Sequence, residues 1–71
     1  MKFTAIIRQE GQLYSSLCPE LDIASQGVSP AEAKSNLIEA IELFLEVADK
    51  EEITARYSNP PTIESLEVKV G

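Results

Sequence analysis

Histidine and tryptophan are absent from the 71 residues, cysteine and methionine each occur once, and there are only three glycines. Without histidine the chain lacks the commonest general base and the commonest neutral metal ligand, so most hydrolase mechanisms lose their central residue. Cys18 stands alone, so no internal disulfide can form. A small exported domain ordinarily needs such staples, and a reducing cytoplasm is the expected setting. As a nucleophile Cys18 would need a neighbouring histidine or a helix N-terminus to lower its pKa. It sits between Leu17 and Pro19 at a strand end, which favours a buried structural thiol. Gly11, Gly27 and Gly71 are too scattered to build a phosphate-cradling loop, and neither a P-loop nor a dinucleotide fingerprint is present, so no cofactor is expected. Basic residues are scarce: six against twelve acidic ones leave a net charge of -6, a field that repels nucleic acid and anionic lipid. Long apolar runs are missing too. Met1-Lys2-Phe3-Thr4 alternates polar and apolar residues, unlike a signal peptide, and no window reaches membrane-spanning length.

What remains is the composition of a folded domain, 44% hydrophobic and 25% charged, with enough chain for one small core. Phe3, Ala5 and Ile7 alternate with Thr4, Ile6 and Arg8, which predicts a first strand over residues 2–9. Glu10-Gly11-Gln12 reverses the chain into a second strand over 13–17, with Leu13, Ser15 and Leu17 on one side. Cys18-Pro19-Glu20 interrupts pairing, because Pro19 has no amide hydrogen, and a third short strand follows over 21–26.

Gly27 closes that strand, and Ser29-Pro30-Ala31-Glu32 starts a helix. Ser29 is the N-cap, Pro30 takes the first helical position and Glu32 completes a capping box. A single helix is predicted over 30–50, with Ala33, Leu37, Ala40, Ile41, Phe44 and Ala48 facing the sheet. At about 100° per residue its apolar arc spans roughly 220°, from Leu43 and Val47 on one flank to Leu45 and Ile38 on the other. One sheet contact covers less than that. The remainder, Ile38, Leu43, Leu45 and Val47, must meet the 53–61 connector, a second copy of the chain or a foreign partner, and homodimerisation is the favoured cover. Asn59-Pro60-Pro61 stops helix and ladder alike. Leu66, Val68 and Val70 then alternate with Glu67 and Lys69, predicting a fourth strand over 65–70, parallel to an earlier one through a right-handed crossover.

The expected fold is therefore α+β in the order β-β-β-α-β: a four-stranded mixed sheet with one helix packed on one face, in a single domain over 1–71. Acidic residues could hold magnesium without histidine, but the first strand has none in its body, and Glu64 and Glu67 have no placeable partner. Asp49, Glu51 and Glu52 form a block at the expected helix C-terminus, where the dipole opposes them. They are read as a solvated or partner-facing patch, and no metal is expected. Tyr14 and Tyr57 suit either a partner interface or ordinary packing at a sheet edge.

Several stretches resemble the HicB family of antitoxins: Phe3-Thr4-Ala5-Ile6-Ile7, Cys18-Pro19-Glu20-Leu21-Asp22, Ala24-Ser25-Gln26-Gly27, and the helix run from Glu32-Ala33 through Asn36-Leu37 to Glu39-Ala40-Ile41-Glu42-Leu43. The order and spacing cover nearly the whole chain. The resemblance implies a partial RNase H-like fold whose nuclease is inactive, since Thr4, Ile6 and Arg8 stand on the strand where RNase H enzymes carry an acidic residue. It also implies a protein-binding module that masks a small basic RNA-cleaving toxin, similar to HicA. HicB antitoxins usually append a DNA-binding domain, whereas here the sequence stops at Gly71 just after the fourth strand, so operator binding is not expected of these residues. The alternative is an orphan homo-oligomeric domain, regulatory or small-molecule-binding, without a toxin. An RNase H-type enzyme would need converging carboxylates and a metal.

Overall fold

In the computed structural model, which describes residues 2–71, the first and third strands are shorter than the alternation suggests and lie slightly later, whereas the second starts where expected and runs one residue further. Ile6–Glu10 (β1) and Leu13–Cys18 (β2) form a hairpin around Gly11-Gln12. Gly11 takes φ 64 at the first central position, as a type II′ turn demands, and a Cβ there would force left-handed strain on the loop. Ile23–Gly27 (β3) pairs antiparallel with β2, giving the order β1-β2-β3. The register sets Ile7 opposite Ser16 and Ser16 opposite Ser25, so Ser16 and Cys18 share one face of the sheet, and that face is buried.

Pro30–Val47 (α1) lies across that face. Its start keeps the N-cap read from the sequence, with Glu32 N donating to Ser29 Oγ at 3.1 Å, but the reciprocal half of the expected capping box is shifted by one residue: Glu32 Oε1 accepts from Val28 N at 3.0 Å and not from the Ser29 amide. Ala33, Leu37 and Ile41 point inward at spacings of four, and the core closes around Cys18, Leu21, Leu37 and Ile41. Phe3, Ile23, Phe44 and Leu45 pack around that nucleus. The helix lies mainly over β3, less over β2 and least over β1. Gly27 permits this bias, because a Cβ there would stand 2.5 Å from Ala33 N. Ser16 Oγ donates to Ala33 O at 2.8 Å and Asn36 Nδ2 to Gln26 O at 2.8 Å, tying the helix to the two strands it covers.

Two expectations are corrected. The helix ends at Val47 instead of residue 50, and the 53–61 connector is largely a second helix, Lys50–Tyr57 (α2). Ala48 leaves the helical region at ψ 146, and Asp49 restarts the chain as an N-cap, accepting a 2.8 Å hydrogen bond from Glu52 N. The second correction concerns the fourth strand. The described residues form a three-stranded antiparallel sheet with two helices, and residues 65–70 carry no regular structure and are exposed. Alternation signals fitness for a half-buried pleated surface; it makes no strand where no ladder partner lies alongside. The coarse α+β architecture stands, and the mixed four-stranded sheet with a single helix does not.

Candidate interaction surfaces

The short segment before β1 is fixed at two points that no sequence periodicity announces. Thr4 donates twice to Glu20, from its amide at 2.9 Å to Oε1 and from its hydroxyl at 2.6 Å to Oε2. Partial burial alone would raise the Glu20 pKa, but the hydrogen bonds from the Thr4 side chain and amide outweigh it and hold the carboxyl below its ordinary value. The second point is Tyr57, whose hydroxyl donates to Lys2 O at 3.0 Å and accepts from Lys2 N at 3.1 Å, while its ring meets Phe3 edge-on at 5.3 Å. Arg56 anchors the same helix. Its guanidinium donates to Leu21 O at 2.7 Å, lies 4.8 Å from the centre of the Phe44 ring and pairs with Glu52 at 3.4 Å.

Because α1 leans toward β3, a groove is left on the β1 side. It is a half-open groove of about 350 Å³. Ala5, Leu37, Ile38, Ile41 and Leu45 make its walls apolar, and Lys34 and Glu42 stand among the lining residues. The apolar arc expected around the helix is thus split in two. Ile38 and Leu45 border the groove, whereas Leu43 and Val47 are exposed on the other flank. Between these flanks Glu39, Glu42 and Glu46 form an exposed acidic ridge, and from Glu39 to Asp49 the chain has no basic residue. Asp49, Glu51 and Glu52 are also exposed, but they sit at the N-terminus of α2, where the dipole favours them, which corrects the placement expected from sequence. Of the two tyrosines, Tyr57 is an internal anchor. Tyr14 is half-buried on the helix-facing side of β2, opposite Gly27 and Gln9.

Among the described residues no three His, Cys, Asp or Glu side chains converge as metal ligands. Cys18 has no exposed surface, and burial, reinforced by the neighbouring Glu20 carboxylate, pushes its thiol pKa up, so it is held as the neutral thiol. No helix among the described residues is long and apolar enough to cross a membrane. Sequence reasoning missed Arg56, the Thr4–Glu20 clamp and the groove. For Arg56 alone a signal existed, since Glu52 and Arg56 are spaced i, i+4 on what the Asp49–Glu52 cap marks as a helix. No family model, no curated protein and no solved structure matches this chain.

Proposed function

We propose that this chain is a non-catalytic, cytoplasmic protein-binding module that neutralises a small basic RNA-cleaving protein, as a HicB-like antitoxin would. The observation that carries this reading is the acidic ridge of Glu39, Glu42 and Glu46 beside the exposed Leu43 and Val47, with Glu51 and Glu52 nearby in sequence. Apolar anchors beside a single-sign rim form a surface that a basic partner complements, by steered encounter first and burial second. The net charge of -6 supports the same polarity. The scattered carboxylates and the neutral, enclosed Cys18 thiol support a binding role over a catalytic one.

The test is to look for a small basic protein encoded beside this chain, mix the two purified proteins and measure both association and RNA cleavage. A stoichiometric complex that protects RNA is expected. Glu39→Lys combined with Glu46→Lys should slow association about tenfold or more and flatten its salt dependence, with circular dichroism unchanged. A neighbour that neither binds nor loses activity sinks the proposal. An orphan self-associating domain is the second reading, favoured by the apolar groove on the β1 side.

A further inference from the structure

We propose that residues 62–70 of one copy add as a strand to the free edge of β1 in a second copy, their apolar side chains filling the groove under α1, and that a reciprocal exchange closes a two-fold dimer. Among the described residues no strand pairs with the outer edge of β1, which leaves backbone donors and acceptors open, and the segment Phe3-Thr4-Ala5 that leads into β1 forms the sheet-side wall of the apolar groove. The tail has the complementary character. Leu66, Val68 and Val70 fall on one face and Ser65, Glu67 and Lys69 on the other, the pattern of a strand buried on one side. Yet those three apolar residues are 78%, 71% and 91% exposed.

The tail is carried away from its own body. The radius of gyration is 14.2 Å, against roughly 11 Å for a compact chain of this length, and the longest dimension is 48 Å. Pro60 and Pro61 account for the direction, since two successive prolines stiffen an extended segment and bias Asn59 toward the same geometry. Tyr57, held on Lys2, fixes where that stiff segment leaves the body. A second copy is the occupant that the geometry favours. Each chain presents an open β1 edge on the groove side and one unpaired tail, so a single two-fold axis satisfies both of these edges and both tails, while the outer edge of β3, mainly under α1, stays as it is. A foreign segment would fill the edge and still leave the tail bare. The exchange uses the β1 flank of α1 and shares only Glu42 with the ridge of the toxin-binding reading, whose other residues, Glu39, Glu46, Leu43 and Val47, lie outside the groove, so either can fail alone.

Light scattering on the full chain at micromolar concentration should give twice the chain mass, and Leu66→Glu with Val68→Glu should give the chain mass. Ala5→Cys and Val68→Cys variants, differently tagged, mixed and treated with a short bismaleimide, should yield a covalent heterodimer, because the native Cys18 is enclosed. In the unsubstituted protein, amide exchange over 64–70 should slow as concentration rises, a readout that needs no variant. If a chain carrying both Ala5→Cys and Val68→Cys cross-links only within itself, as a monomer, the tail folds back on its own edge and the exchange is overturned. A dimer indifferent to the tail substitutions, or tail amides unprotected at every concentration until a foreign protein is added, would overturn it too.

Discussion

Replacing Gly27 by alanine tests whether the placement of α1 is set by backbone contact. A Cβ built at Gly27 stands 2.5 Å from Ala33 N, 2.8 Å from Glu32 C and 2.9 Å from Glu32 Cβ. Two of these three atoms are backbone in the first turn of α1, so no rotamer relieves the clash and the helix start must move off β3. That movement strains the Asn36–Gln26 and Ser16–Ala33 hydrogen bonds, each 2.8 Å long. Overpacking of this kind costs about 1–3 kcal/mol, and the strained bonds put Gly27→Ala at the upper end, about 3 kcal/mol. A domain of 71 residues has a total stability of roughly 4–10 kcal/mol, so the variant forfeits between about 30% and 75% of it. The melting temperature should fall by roughly 12–24 °C, and the urea midpoint should drop with an unchanged slope. Gly11→Ala is the informative companion. It has open space around its Cβ position but φ 64, so its cost of about 1–2 kcal/mol is conformational. Adding Ala33→Gly should leave Gly27→Ala unrescued, since the obstacle is the Ala33 amide and not its methyl. A Gly27→Ala chain within 0.5 kcal/mol of the parent, about the spread of an ordinary surface substitution, refutes the reasoning.

Thr4→Val removes the hydroxyl half of the Glu20 clamp and should cost about 1 kcal/mol at pH 7, the charged hydrogen bond being discounted for its partial exposure. Because the Glu20 pKa is depressed in the fold, its contribution is full above the ordinary 4.5 and disappears as pH falls through the lower native value. Urea midpoints of parent and variant should therefore converge in acid; a gap that persists at pH 2–3 rejects the clamp. Arg56→Ala loses the donor to Leu21 O and the contact over Phe44, about 1–2 kcal/mol, and should speed amide exchange across α2 while sparing α1. Equal effects on both helices would contradict its role as a local anchor. Cys18 should react with a disulfide reagent only at the rate of opening or unfolding. Its raised pKa means that the unfolded chain loses the proton first, so stability should decline as pH climbs from 9.0 toward the native value, a trend that Cys18→Ser, monitored in parallel, should lack.

The three strands, the hairpin turn at Gly11 and the start of α1 were legible because each is specified within a few residues, by alternation, by a turn glycine or by a cap. The break after Val47 was obscured by Ala48, which continues the apolar period of α1 while its backbone has already left the helix. The local signal, Asp49 followed three residues later by Glu52, was present but competed with that longer rhythm. Residues 65–70 show the opposite failure: a good strand pattern whose realisation depends on a partner edge that sequence cannot place. The separation of Leu43 and Val47 from Ile38 and Leu45 also escaped sequence reasoning. Helical periodicity gives the width of an apolar arc, but the sideways offset of α1 over β3 comes from a contact between Gly27 and Ala33.

The bond between Tyr57 and Lys2 joins residues 55 positions apart. The leading segment therefore cannot be locked until Tyr57 is clear of the ribosome and α2 is docked, whatever the hairpin, β3 and α1 have done by then. Until then Phe3, which packs against the core, is held chiefly by the Thr4–Glu20 clamp. The nascent domain therefore passes through a state with a loose front edge, and factors that capture exposed aromatic side chains have their opportunity in that interval.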